Sequence, residues 1–332
     1  MDLLDLKLEN MLEYDPDLKS LQGNPQMLYY RQPTAREYPL DLNKGYAEYI
    51  PRRGNFLRAF GVLQHHVMHL REPRQLLDQT HFFLNRGTMI KFMGDRTFCE
   101  FNFAASRFKG CIYVRCLSED VDKRNFRPKK TRTHPYKARQ YVFTSSPGEP
   151  PNPDAPVDER KQVYGVFSAQ LGDFRLLYSA EVSGVWNKEP LGDLNDPVVL
   201  KRCRRATVRI EYANQTEPRP LWLMQSYLGG IGQIAIAKPN KSGLVCGPIK
   251  VVSCAEKLGK CKFNIQDGLK QMHEILAQIS SRLANEDNPE MELKFKIVCG
   301  SILFEDHLQS VDPPGNFDQK FIDFTNQLYI PK

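Results

Sequence analysis

The pattern of apolar and polar positions centres on Phe174-Arg175-Leu176-Leu177-Tyr178-Ser179-Ala180-Glu181-Val182-Ser183-Gly184-Val185, which starts apolar, finishes with polar groups at its C-terminal end and predicts one buried strand. Val163–Ala169 and Arg175–Val182 flank Gly172-Asp173 and predict a hairpin. Thr97–Val114 reads as two strands broken at Ser106-Arg107-Phe108-Lys109-Gly110. Further strands are expected at Arg139–Thr144, Cys203–Tyr212, Ile234–Ala237, Leu244–Ser253 and Leu293–Phe304. Helical spacing of Leu57, Phe60, Leu63 and Val67 predicts a helix over Phe56–Leu70, and a second is expected from Arg74 to Asn85. Leu221–Leu228 is a third, ending in the turn Gly229-Gly230-Ile231-Gly232. Ile265, Leu269, Met272, Leu276, Ile279 and Leu283 mark a long amphipathic helix capped by Asn264, and another helix is expected near the C-terminus. Residues 1–50, with little periodicity, read as an irregular wrap with short strands. Ser145–Pro156, rich in Pro, Ser and Gly, is a loop inserted within one domain rather than a boundary, because strand patterns continue on both sides. The sum is an α+β chain: a mixed sheet core with helices around it, in a single domain spanning residues 1–332.

Composition narrows the class. At 332 residues, 41% hydrophobic and 26% charged, the chain is expected to bury a large core and be soluble. No apolar run approaches the ~20 residues of a membrane helix. Acids in Met1-Asp2-Leu3-Leu4-Asp5 make an export signal an unlikely reading of the start. Eight cysteines, none in Cys-x-x-Cys spacing, argue against a zinc site and point to reduced thiols in the cytosol or nucleus. His65, His66 and His69 contain an i, i+4 pair, but no acid or Cys stands at matching spacing, so a metal reading is weak there.

Charge is concentrated. The net +7 lies within Lys123–Arg139, which holds Lys123, Arg124, Arg127, Lys129, Lys130, Arg132, Lys137 and Arg139 and no acid. Such a block on a near-neutral body suits a polyanion partner, and Arg127-Pro128-Lys129-Lys130-Thr131-Arg132 suits a nuclear import signal; a solvated basic loop is the plain alternative.

Several stretches, in the right order, resemble the DXO family of decapping and exonuclease proteins. They are Leu28-Tyr29-Tyr30 with Gly45-Tyr46, Asn85-Arg86-Gly87 followed by Lys91, Ala105-Ser106-Arg107-Phe108-Lys109-Gly110, the Leu171-Gly172 hairpin leading to Val182, and Trp222 to Leu228 with Gln225-Ser226-Tyr227-Leu228. The resemblance implies one domain of two twisted mixed sheets surrounded by helices. It also implies hydrolysis of uncapped or incompletely capped RNA 5′ ends, with several carboxylates holding two divalent metals.

Carried over position by position, that site has changed. The family's Gly-Tyr-Lys-Phe-Glu stands here as Pro135-Tyr136-Lys137-Ala138-Arg139, its Glu-x-Asp as Glu181-Val182-Ser183, and its Glu-Leu-Lys as Arg209-Ile210-Glu211. Leu221 occupies the place of a Lys before Trp222, while Gln225 persists. Arg139, Glu181, Arg209 and Glu211 sum to zero, where two guanidinium groups would repel a divalent cation. The expectation is a pseudoenzyme with no catalytic residues, no metal and no cofactor. Its degenerate pocket of Arg86, Arg139, Glu181, Ser183, Arg209, Glu211 and Gln225 would bind RNA 5′ ends, helped by the basic block. Internal pairing of the arginines with Glu181 and Glu211 is the structural alternative. A protein–protein adaptor on the same fold, or a divergent active nuclease, are the functional ones. Among degenerate members of the family the chain is most similar to an insect germline protein of piRNA clusters. That similarity implies a nuclear complex with the chromatin-bound Rhino and Deadlock proteins.

Overall fold

The computed structural model describes residues 1–52, 60–94, 100–117, 129–212, 220–298 and 300–330. In chain order its strands and helices are β1 (Leu3–Asp15), β2 (Ser20–Gly23), β3 (Tyr29–Tyr30), β4 (Leu40–Asp41), α1 (Gly61–Met68), α2 (Pro73–Gln79), β5 (Phe82–Asn85), α3 (Arg86–Phe92), β6 (Glu100–Phe108) and β7 (Cys111–Cys116). There follow α4 (Lys130–Val142), β8 (Phe143–Thr144), β9 (Gln162–Leu171), β10 (Phe174–Glu181), β11 (Gly184–Val185), α5 (Pro197–Arg202), β12 (Arg205–Ile210), α6 (Pro220–Leu228) and β13 (Gln233–Ala237). The rest is β14 (Leu244–Val245), β15 (Lys250–Ser253), α7 (Cys254–Lys260), α8 (Ile265–Arg282), β16 (Met291–Val298), β17 (Ser301–Phe304), β18 (Gln309–Ser310) and α9 (Gln319–Leu328).

Two mixed sheets carry the architecture. The larger runs β17-β16-β6-β7-β5-β10-β9-β1-β2, with β18 on β16. Within it β5 pairs in parallel with both β10 and β7, and the other pairs are antiparallel. The smaller runs β15-β13-β12-β11-β3-β8, and β4 with β14 forms a separate two-stranded ribbon.

β10 shows why its sequence is so continuously apolar. Leu176, Tyr178 and Ala180 face a core shared with α3 and α8, while Leu177 faces a second core shared with α1 and α9. A strand covered on both faces loses the polar half of the usual alternation. The hairpin to β9 turns at Gly172, whose φ of +59° and whose closeness to the His273 ring exclude a side chain.

The predicted strand through Val185 is not one strand. It leaves the larger sheet after Glu181 and enters the smaller at Gly184, so Val182 and Ser183 form the crossing between the two sheets. Gly184 makes the crossing possible: a Cβ there would stand 2.5 Å from the Phe143 ring and 2.6 Å from the Leu28 carbonyl oxygen.

Other expectations need correction. The first residues are no irregular wrap, since β1 is a thirteen-residue strand antiparallel to β9. The helix expected over 74–85 stops at Gln79, where the chain becomes the buried strand β5. Leu293–Phe304 is a hairpin, β16 and β17, turning at Gly300 with φ +86°. Leu244–Ser253 divides between β14 and β15. The extended stretch expected over Arg139–Thr144 is mostly α4, with only Phe143 and Thr144 in a strand. Of the helix over 56–70, residues 56–59 lie outside the described residues and the remainder is α1. The cap on α8 stands as read, the Asn264 side chain accepting from the Gln266 N–H at 2.9 Å.

α4 is organised around a proline. Pro135 lies inside it, so the Thr131 carbonyl loses its helical donor. The Tyr212 hydroxyl stands 3.2 Å from that oxygen and 2.8 Å from His134 Nδ1, while His134 Nε2 is 3.2 Å from Asn43 Oδ1. A side chain after β12 thereby fills the gap in the helix and fixes α4 against the smaller sheet.

Candidate functional site

Glu181 ends β10 at the crossing between the sheets, and three arginines from three elements surround it. Arg139 comes from the last turn of α4, Arg209 from β12 and Arg86 from the first position of α3. Arg139 Nη1 donates to Glu181 Oε1 at 2.5 Å, with the two side chains 21% and 27% exposed. The Arg139 guanidinium also stacks over the Tyr136 ring, 5.1 Å from its centroid. Arg86 Nη1 stands 3.4 Å from the Gln225 backbone carbonyl, a long contact. The Arg209 side chain forms no hydrogen bond or ion pair with another described residue, and its Nε, like that of Arg139, is buried without a partner.

The charges act on one another in the expected directions. Burial pushes the Glu181 carboxyl up, but Arg139, Arg86 and Arg209 together hold it below its ordinary value. Burial opposes the charge on Arg139, and Glu181 outweighs it, so that guanidinium is held charged more firmly than usual. Arg86 is lowered by burial, with Glu181 working against the shift. Arg209 is lowered to about 9, first by burial and then by Arg86 and Arg139, and it still carries its proton at neutral pH.

Around Glu181 itself one carboxylate faces three guanidinium groups, and Glu159, which also acts on Arg139, offsets part of that excess of positive charge. This corrects the expected balance, which counted Glu211 and omitted Arg86. Glu211 pairs with Lys238 at 2.7 Å and lines a separate cavity of about 310 Å³ with Tyr212, Asn240 and Cys246. Its carboxylate is drawn off by a lysine that sequence spacing does not reveal. Ser183 is half-buried in the crossing next to Glu181, and Gln225 is half-buried on α6, where its backbone rather than its amide meets Arg86.

The basic block separates into two roles. Lys129, Lys130 and Arg132 are exposed at the start of α4, and Lys123, Arg124 and Arg127 lie outside the described residues. Lys137 is no surface cation: it is 1% exposed and donates to the carbonyls of Pro153 and Ala155, both at 3.0 Å. With Gln140 Nε2 on the Pro156 carbonyl at 3.0 Å, it pins the Pro-rich loop to α4. On α1, His66 is buried with its Nδ1 3.1 Å from Asn10 Nδ2, and the rings of His65 and His69 stack on each other.

Divalent metal asks for several anionic oxygens at one point. The cluster offers the one carboxylate of Glu181, already held by Arg139, among three cations, so these residues do not fit such an ion. Among the described residues no group of three or more His, Cys, Asp or Glu is placed to hold a metal. What the arrangement fits is an anion with several oxygens, since guanidinium groups form paired hydrogen bonds with phosphate.

Two mixed sheets meeting at a charged crossing, with helices outside, define an α+β fold with its candidate site at the sheet junction. Residues 11–305 match the family described as RAI1 like PD-(D/E)XK nuclease, and the chain belongs to that family. Bovine decapping and exoribonuclease protein is 26% identical over 260 residues, which cover 72% of this chain and 62% of the bovine protein. The mouse decapping and exoribonuclease protein is 28% identical over 153 residues, 43% of this chain and 38% of the mouse protein. The chain therefore matches less than two thirds of the length of these relatives. Candida albicans Rai1, solved in complex with pU5-Mn2+, superposes with a TM-score of 0.77 over 98% of this chain and 96% of its own, at 13% identity. Schizosaccharomyces pombe Rai1, in complex with 3′-FADP, gives 0.69 over 93% and 95% at 16% identity. At such identities the agreement establishes the fold.

Proposed function

We propose that this protein binds the uncapped 5′ end of RNA without cleaving it, as a catalytically inactive member of its family. The observation that carries the reading is Arg209: a half-buried, charged guanidinium whose Nε is buried without a partner, beside a carboxylate already taken by Arg139. A structural network of internal pairs would match its charges, whereas here three guanidinium groups share Glu181 and Glu159 acts on Arg139 alone among them. A terminal phosphate supplies negative charge and several acceptors, and no residue here assembles the acids that activate water around metal. A bound end is shielded.

Among degenerate members of the family the sequence resembles Cutoff, the insect germline protein of piRNA clusters. Under that resemblance the protein works in the nucleus beside the chromatin-bound Rhino and Deadlock proteins. It lets unspliced, unterminated piRNA precursors accumulate by guarding their uncapped ends from decay. Its Arg127–Arg132 segment would serve as an import signal.

The pure protein, incubated with 5′-monophosphate and 5′-triphosphate RNA and Mg²⁺ or Mn²⁺, is expected to yield no product. It should retain the RNA in a salt-sensitive complex that Arg139→Ala with Arg209→Ala weakens by at least about tenfold. Metal-dependent hydrolysis would establish the alternative, a divergent active nuclease. Absence of RNA binding at low salt would leave a protein–protein adaptor.

A further inference from the structure

The proline inside α4 sits beside a chain of groups that can pass a proton. Pro135 carries no N–H, and the Tyr212 hydroxyl, from beyond the end of β12, stands 3.2 Å from the Thr131 carbonyl left without its helical donor. The same hydroxyl is 2.8 Å from Nδ1 of His134, a residue 3% exposed. A hydroxyl has one proton to donate, and here two acceptors compete for it.

The tautomer of His134 is set from the other side of its ring. Asn43 Nδ2 donates to the Ser242 carbonyl at 2.8 Å, which turns Asn43 Oδ1 toward His134. That oxygen only accepts, and it lies 3.2 Å from Nε2, so the neutral ring carries its proton on Nε2 and presents Nδ1 as an acceptor. The Tyr212 proton then goes mainly to Nδ1, because 2.8 Å is an ordinary hydrogen-bond length and 3.2 Å is long for O–H···O. The Thr131 carbonyl receives the minor share. An imidazolium donates from both nitrogens. With a proton on Nδ1, the ring donates to Asn43 Oδ1 and to the Tyr212 oxygen, and the hydroxyl proton is released to Thr131. Every donor then meets an acceptor with no heavy atom leaving its place.

We propose that His134 is a proton-operated latch on α4: when its ring takes up a proton, the Tyr212 hydroxyl turns from His134 to the Thr131 carbonyl and closes the gap left by Pro135. The turn so closed presents Lys130 and Arg132, both exposed, and the latch sets how firmly they are held. Burial opposes the charged ring and Asp41 on β4 favours it; burial prevails, which places the switch below the ordinary imidazole range. The other charges nearby along these elements are engaged: Glu211 with Lys238, Lys137 with two carbonyls, and Lys130 over the Tyr46 ring. The latch does not depend on what the cluster at Glu181 binds.

Long-range ¹H–¹⁵N spectra of the protein at neutral pH should show His134 protonated on Nε2. Acidification should add a proton at Nδ1 while the carbonyl ¹³C resonance of Thr131 moves downfield. In Tyr212→Phe the Thr131 response should vanish. The His134 midpoint should also fall by roughly half a pH unit or more, about threefold in proton affinity, because the buried Nδ1–H loses its acceptor. Pro135→Ala, which gives Thr131 a helical donor, should lower the midpoint too, and Tyr212→Phe should then shift it less. A hydroxyl that only donates to His134 gives the opposite sign, since its removal withdraws support from the neutral ring and raises the midpoint. A raised or unchanged midpoint in Tyr212→Phe, or an Nδ1–H tautomer at neutral pH, overturns the latch.

Discussion

His66 is 4% exposed and is pushed down to about 4, chiefly by burial, with Glu9 opposing and His65 and His69 adding to the shift. Its folded value lies below its ordinary 6.5, so the unfolded chain takes up a proton that the native state refuses. The stabilisation is full above pH 6.5 and is lost as pH falls toward 4, by up to about 3 kcal/mol across that window. Urea denaturation between pH 7 and pH 4 should show this slope, and His66→Asn should reduce it, leaving the part contributed by His65, also pushed down to about 4 by burial, while lowering stability at neutral pH. At the same scale, the resemblance sets Glu181-Val182-Ser183 against the family's Glu-x-Asp, and three arginines stand around it. Ser183→Asp alone would restore a carboxylate next to Glu181 while Arg86, Arg139 and Arg209 remain. The same nuclease assay should therefore still find no hydrolysis. Arg86, Arg139 and Arg209 could be singled out in the sequence because they fall inside stretches that resemble the family's motifs. The pairing of Glu211 with Lys238 and the burial of Lys137 could not, because each depends on a partner distant in the chain or supplied by backbone carbonyls.

Among the elements, α4 best shows where periodicity gives out. Its buried positions, Thr133, His134, Lys137, Ala138 and Val142, follow helical spacing, but three are polar or charged and Pro135 stands among them. A hydrophobic pattern cannot register a face made of lysine and histidine, so the segment read as a basic loop and a strand. β10 and its hairpin were legible for the opposite reason: apolar runs on both sides of Gly172-Asp173 leave few alternatives. The hydroxyl of Tyr212 supplies what Pro135 removes, and this can be measured. Tyr212→Phe should cost about 1 kcal/mol, since the Thr131 carbonyl and His134 Nδ1 both lose a contact. In a Pro135→Ala background the helix has its own N–H for Thr131, and the same change should cost measurably less. Additive effects in this double-mutant cycle would show that the two residues act independently.

For the molecule as a whole, the family's fold is kept at low sequence identity, and β10, covered on both faces, ties the two cores of the larger sheet together. Arg115 and the fully buried Glu292, 3.0 Å apart, show that the protein pairs an interior charge directly where packing requires it. The cluster at Glu181 follows another rule. It gathers like charges from α3, α4 and β12 around one acid, which costs folding free energy unless something outside the chain completes it. Sequence predicted the architecture in outline and the identity of the arginines. It did not predict the excess of charge, which arises from which side chains the two sheets bring together.

The crossing at Val182 and Ser183 carries a mechanical implication. The larger sheet continues covalently into the smaller through this two-residue link, which starts directly after Glu181. Any tilt of one sheet against the other must bend that link and alter the separation between Glu181 on β10 and Arg209 on β12. The cluster is in effect a gauge of how the sheets are aligned, and an anion seated in it would act as a rivet between them.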